Sequence, residues 1–241
     1  MTNSAKALSV FITFLISHSL TTFAQKKPNN FLGIEYGVTI PIGNFGKKDI
    51  SNEMSGFARP RSIVSAIFGH HIKNSRVGFI WSYSALKNGY DGEWLLEKYK
   101  ATVPGIIVDT KPWTTKLFMP GIFYSLPLND EVSAFYFKGM FGLSQATSSG
   151  YMVRGNDFSK IQRFEKSDLG LGYGLGLSFQ TEVDPDGFSG INILFNSNYF
   201  SSSHTFKNVK TSAANSGETT TSIRQKFENI TASIGLSISF Y

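Results

Sequence analysis

Few side chains of this chain of 241 residues have the types and spacings that chemistry requires. Glu35 and Lys138 are the clearest: each falls on the small, polar face of an alternating segment. Charges shut away from water must be paired. These two residues therefore read as an ion-paired plug, with a proton or ion path as the alternative. His204 follows Ser201, Ser202 and Ser203, the residue types of a base and a nucleophile. Adjacency in sequence does not supply the geometry that pair needs, and the stretch is rich in Ser throughout. His70 and His71 could offer two imidazoles to a metal, but neighbours in a strand point to opposite faces. Gly170, Gly172, Gly174 and Gly176 are spaced by two and lack the G-x-G-x-x-G of a phosphate-binding turn. Lys47, Lys48, Arg59 and Arg61 form a basic group in a polar stretch, suited to phosphate-bearing ligands, with ordinary solvated charge as the plainer reading. No catalytic, cofactor-binding or metal-ligating residue is assigned, and a non-enzyme is expected.

The element behind the glycines is the most informative part of the chain. From Leu169 to Phe179 every odd position is large and apolar and every even one is Gly or Ser. Strict period two marks a strand with two unlike faces. Bulk on one face and almost nothing on the other suits a small membrane barrel, with lipid outside and a tight, polar interior.

Seven further segments carry related patterns. They begin at Leu32, Ser62, Val77, Trp113, Val132, Ile191 and about Asn229, the second being ambiguous in face. Pro120 falls inside the fourth strand, where a bulge or weak pairing is expected. Long polar connections span residues 43–61, 87–112, 144–167 and 200–224. Short turns fall near Asn74, Asn129 and Asp186. This long and short alternation is that of an antiparallel up-and-down transmembrane barrel, all-β, with eight strands. Val103 to Val108 could pair as well, which leaves a count of ten as the alternative. The long connections carry an excess of Lys and Arg and the short ones an excess of Asp and Glu, so a basic outer surface and an acidic inner rim are expected.

At the N-terminus, Lys6 precedes a mostly apolar run from Leu8 to Leu20, then Thr22-Phe23-Ala24. Residues 1–24 read as a cleaved signal peptide and residues 25–241 as one barrel domain. With Cys 0 there is no site for a lipid anchor. An eight-stranded barrel has room inside for side chains and little else, so an open diffusion pore is not expected. Nothing in the chain reads as a nucleic-acid-binding motif.

Three features together resemble the small outer-membrane barrels of the OmpA-transmembrane, OmpX and PorT-like kind. They are the first strand with Gly33, Gly37 and Pro41-Ile42-Gly43, the loop rhythm, and the ending Ser233-x-Gly235-x-x-Ile238-x-Phe240. An apolar Ile238 stands where that family usually has an aromatic, and Tyr241 extends one residue past Phe240. The resemblance implies an outer-membrane location with periplasmic termini. It also implies that Gly235, Ile238, Phe240 and Tyr241 act as a signal to the barrel-assembly machinery. Its members include structural, adhesive, secretion-linked and enzymatic proteins, so it does not fix an activity. The expected role is structural, surface-interacting or accessory to an envelope protein complex, with lipopolysaccharide as the expected contact of the basic loops. The alternatives are an envelope lipid-modifying enzyme, a narrow channel, or a secreted soluble lipocalin-like barrel.

Overall fold

The computed structural model describes residues 30–49, 52, 55–73, 75–100, 105–128, 132–155, 160–183, 190–214 and 217–240. Eight strands form a closed antiparallel ring: β1 (Asn30–Pro41), β2 (Ala58–His71), β3 (Val77–Tyr90), β5 (Trp113–Pro127), β6 (Ser133–Thr147), β9 (Ser167–Glu182), β10 (Ile191–Ala213) and β11 (Gly217–Phe240). Consecutive ring strands pair, and β11 returns to β1 in unbroken register from Asn30↔Phe240 to Pro41↔Asn229. Closure removes both free edges that an open sheet would leave.

The faces follow the alternation in the sequence. In β9, Leu171, Leu175 and Leu177 point outward at 58%, 60% and 43% exposure, while Gly172, Gly174 and Ser178 point in. β1 and β11 behave alike: Ile34 and Leu236 are exposed, and Glu35, Thr231 and Ser237 are buried. β2, ambiguous in sequence, turns Ile63, Ser65 and Ile67 inward and Val64 outward. Apolar exterior thus circles the ring. A belt of this kind suits lipid and would be a large liability in water. The soluble alternative needs the opposite assignment of faces on β9 and β11. No described helix is long and apolar enough to span a membrane.

The interior departs from the small, polar lumen expected. Phe31, Ile63, Ile67, Ile80, Leu117, Met119, Phe123, Met140, Leu194 and Phe200 pack into one buried core inside the ring. The glycines of β9 make room for it. A Cβ on Gly174 would lie 2.7 Å from the Phe200 ring, and one on Gly172 would lie 2.9 Å from Met119 Cε. Small residues on one wall accommodate large ones from the other.

The connections depart from the sequence expectation in three places. Strands run further outward than the period-two signal suggests, so Arg59 and Arg61 belong to β2 and not to a loop. Residues 200–224 are a hairpin: β10 and β11 continue together to Ala213↔Gly217, with one register shift between Phe206 and Val209 beside the left-handed Asn208 (φ 58°). Ser and Thr hid these strands because they dominate the hairpin's outer half, whose apolar residues, Phe206, Val209, Ile223 and Phe227, are few and widely spaced along each strand. Ile107 to Thr110 does pair, but as β4 with β7 (Tyr151–Arg154), and β7 pairs with β8 (Lys160–Arg163), which joins β10 at Thr211–Ala213. β4, β7 and β8 therefore extend the hairpin into a small sheet beyond the ring and add nothing to its eight strands. Two short helices, α1 (Gly43–Gly46) and α2 (Glu93–Tyr99), lie in the first two long connections. At Pro120, pairing with β6 stops at Phe118↔Leu143 and resumes at Gly121↔Met140 in the same register, which is the weak pairing expected there and not the bulge.

Candidate functional site

Beside the apolar core, two polar layers and an aromatic cap occupy the barrel. The deepest polar layer contains Glu35 and Lys138, both buried. They do not meet. Asn196 stands between them: Lys138 Nζ donates to Asn196 Oδ1 at 2.6 Å, and Asn196 Nδ2 donates to Glu35 Oε1 and Oε2 at 2.6 and 2.8 Å. Ser178 donates to Asn196 Oδ1 and Ser233 to Glu35 Oε2, each at 3.0 Å. The amide dipole is thus aligned with the charges, its oxygen toward the cation and its nitrogen toward the anion. The expected direct ion pair is replaced by an amide-bridged one. β1 and β6 lie on opposite sides of β10, a relation that strand parity alone does not give. A small void beside Lys138 is lined also by Tyr136, Phe123 and Gln180.

Above this lies an arrangement that sequence reasoning missed. His204 belongs to β10 and points inward. Its Nε2 is 3.0 Å from Ser144 Oγ and 3.2 Å from Ser202 Oγ, and its Nδ1 is 3.3 Å from Asp168 Oδ2. Of the three serines that precede it, only Ser202 reaches the ring. Ser144 and Asp168 come from β6 and β9, and only cross-strand register could have found them. The order Ser, His, Asp is that of an acyl-transfer triad. Access is missing, however: Ser144 is 0% and His204 1% exposed, and the rings of Phe206 and Phe227 pack on the imidazole. A carbonyl must come within about 3 Å of both the nucleophile and the oxyanion donors. In this structure the cluster is a buried, hydrogen-bonded polar layer in the wall.

The outermost layer is an aromatic cap. Phe45 of α1 is fully buried between Phe227 (centroids 4.6 Å apart) and Trp113 (5.8 Å), and Trp113 Nε1 donates to the Gly56 carbonyl at 2.9 Å. The first long connection folds back into the barrel mouth. An electrostatic clamp ties it to the second. Asp91 accepts from Lys48 at 2.5 Å and from Arg59 at 2.6 Å, and Arg59 also reaches Glu93 at 2.9 Å. Burial pushes the Asp91 carboxyl up, but hydrogen bonds from Lys48, the Glu93 backbone and Arg59 outweigh it, leaving Asp91 below its ordinary value. Arg59 is raised chiefly by its hydrogen bonds to Glu93 and Asp91. Of the four basic residues singled out, Lys48 and Arg59 are therefore occupied by carboxylates, while Lys47 and Arg61 are exposed.

At the closing seam, Gly235 lies opposite Glu35, and a Cβ there would fall 2.2 Å from the Ile34 carbonyl oxygen; Gly37 meets the Ala232 carbonyl in the same way. The two glycines allow β1 and β11 to approach. Ile238 and Phe240 point outward, 56% and 41% exposed, and Phe240 pairs with Asn30. Tyr241 lies outside the described residues. His70 Nδ1 bonds Asn30 Oδ1 at 2.8 Å while His71 packs on Phe123, so the two imidazoles do not converge.

No protein-family model matches the chain. No curated protein matches it in sequence. Solved structures do resemble it. Neisserial surface protein A covers 90% of this chain and 100% of its own at 10% identity and TM-score 0.50. The attachment invasion locus protein Ail of Yersinia pestis (13% identity, 88% and 99% covered, TM-score 0.45) and the outer membrane protease OmpT of Escherichia coli (11%, 91% and 99%, TM-score 0.48) are similar in outline. At 10% identity the likeness to neisserial surface protein A is one of fold alone.

Proposed function

We propose that this chain is an outer-membrane barrel, closed to solutes and without enzymatic activity, that holds a small sheet outside the cell. Its role on this reading is structural, surface-interacting or accessory to an envelope complex. The filled interior is the observation that carries it: among the described residues, an apolar core, two hydrogen-bonded polar layers and an aromatic cap occupy the lumen. Residues 1–24 act as the export signal, the termini are periplasmic, and the barrel-assembly machinery inserts the chain. Gly235, Ile238, Phe240 and Tyr241 serve as its signal. Phosphates of lipopolysaccharide are the contact for exposed Lys47 and Arg61. Planar-bilayer recording tests the closed lumen: the inserted protein gives no stable conductance steps, and regular single-channel openings would overturn the reading.

The Ser144–His204–Asp168 arrangement favours one competing reading, an envelope hydrolase whose cap opens. A fluorophosphonate probe separates the two. No labelling of membrane-inserted protein supports the closed barrel, and labelling abolished by Ser144→Ala supports the hydrolase.

A further inference from the structure

Resting on the outer-membrane reading above, we propose that Lys87 and Lys116 form a binding site on the outer wall for the phosphate of an outer-leaflet glycolipid, whose acyl chains lie on the apolar wall directly below.

The register places these residues. Lys87 lies opposite Ser62 on one side and Thr114 on the other, and Lys116 lies opposite Ala85 and Gln145. The two lysines are thus diagonal neighbours on β3 and β5, with side-chain origins about 7–8 Å apart. That separation lets two ammonium groups reach oxygens of one phosphate. Both side chains are exposed and both face outward. Tyr83 precedes Lys87 by four residues and Phe118 follows Lys116 by two, both outward at 47% and 51% exposure. Below the lysines, the outward positions of β2, β3, β5 and β6 carry no carboxylate. The apolar belt ends at the lysines on the side of the long connections, the level of the outer headgroups.

Neither lysine is engaged by a carboxylate of the described residues, unlike other lysines at this level. Lys226, outward on β11, is held by Glu228 at 2.7 Å, as Lys48 and Arg59 are by Asp91. Among the described residues, neither Lys87 nor Lys116 has a carboxylate within ion-pair distance. A lysine at the lipid boundary with no anion from the protein is satisfied by an anion from the lipid, and charge-assisted bonds to phosphate are the strong kind. Gln145, exposed beside Lys116, adds a neutral donor for the sugar or phosphate oxygens. These residues differ from the basic group in the first long connection that the sequence brought forward, because a lysine isolated in an alternating strand makes no cluster in sequence.

The test is native mass spectrometry of the barrel refolded in detergent and titrated with bis-phosphorylated lipid A, with enzymatically dephosphorylated lipid A, or with inorganic phosphate. The wild type should retain one bis-phosphorylated lipid A. Lys87→Gln/Lys116→Gln should weaken that retention roughly tenfold or more, with an unchanged heat-dependent gel shift. Lys226→Gln, which removes an already paired lysine, should leave it unchanged. Equal retention by wild type and double variant would overturn the proposal, as would equal retention of dephosphorylated lipid A. Competition by millimolar inorganic phosphate would also overturn it, since the site would then bind a free anion and not a lipid. If the wild type gave no heat-shifted barrel species, the outer-membrane reading itself would fail, an outcome distinct from loss of binding alone.

Discussion

Replacing Lys138 by Met should be among the most damaging single changes in the barrel. Glu35 is 2% exposed, and its oxygens accept from Asn196 and Ser233, both neutral. Without Lys138, the Asn196 amide loses the cation that fixes its orientation, and the carboxylate is left buried and uncompensated. Breaking a buried charge pair in this way costs about 3–5 kcal/mol. Glu35→Gln should cost a similar amount, because Lys138, 6% exposed, then keeps only Asn196 Oδ1. The double variant Glu35→Gln/Lys138→Met removes both charges, and Gln can still bond Ser233. Its cost should fall well short of the sum, by a coupling of about 2 kcal/mol or more. Urea titration in lipid vesicles, followed by tryptophan fluorescence and the heat-dependent gel shift, gives the four stabilities of the cycle. Single costs below about 1 kcal/mol that simply add would refute the amide-bridged pair.

Other consequences are as specific. Phe45→Ala removes the centre of the aromatic cap and should cost about 3–5 kcal/mol, with faster proteolysis of residues 42–57 as the readout. Leu175→Arg places a cation on the lipid face and should cost roughly 2–4 kcal/mol near mid-membrane; Gly139→Ala, with nothing within 4 Å of the added carbon, should be neutral in the same refolding assay. Asp91 has a lowered folded pKa, so the clamp it makes with Lys48 and Arg59 is fully present above the ordinary carboxylate range and is lost as pH falls through that range and below. An acid titration of Trp94 fluorescence should show this transition, and Asp91→Asn should abolish it.

The ring was legible in the sequence because a strand with lipid on one side repeats at period two, and Leu169 to Phe179 shows that period without interruption. Turn residues and loop rhythm then set the strand number. What lay beyond the membrane was less legible. The outer half of the β10–β11 hairpin carries only a few inward apolar residues among many Ser and Thr, so Ser203 to Thr211 read as loop although it is paired throughout except at the shift beside Asn208. The interior was hidden for another reason. Gly172 and Gly174 look like an empty wall until the register brings Met119 and Phe200 against them. Contacts made across the lumen, such as Glu35 with Asn196 or Ser144 with His204, depend on how the ring closes, which no local pattern contains. Basic residues clustered in sequence drew attention to Lys48 and Arg59, whose carboxylate partners lie in the next connection, about thirty or more residues on.

Single-cysteine labelling on intact cells tests the central claim most directly, since the chain has no cysteine of its own. Thr220, in the outer half of the hairpin, and Leu128, after β5 at the opposite end of the barrel, are both exposed. A membrane-impermeant maleimide should label Thr220→Cys on whole cells and leave Leu128→Cys unmodified until the outer membrane is opened. Labelling of Leu128→Cys on intact cells with Thr220→Cys protected would reverse the orientation. Recovery of both variants in the soluble periplasmic fraction would contradict a membrane-spanning barrel altogether.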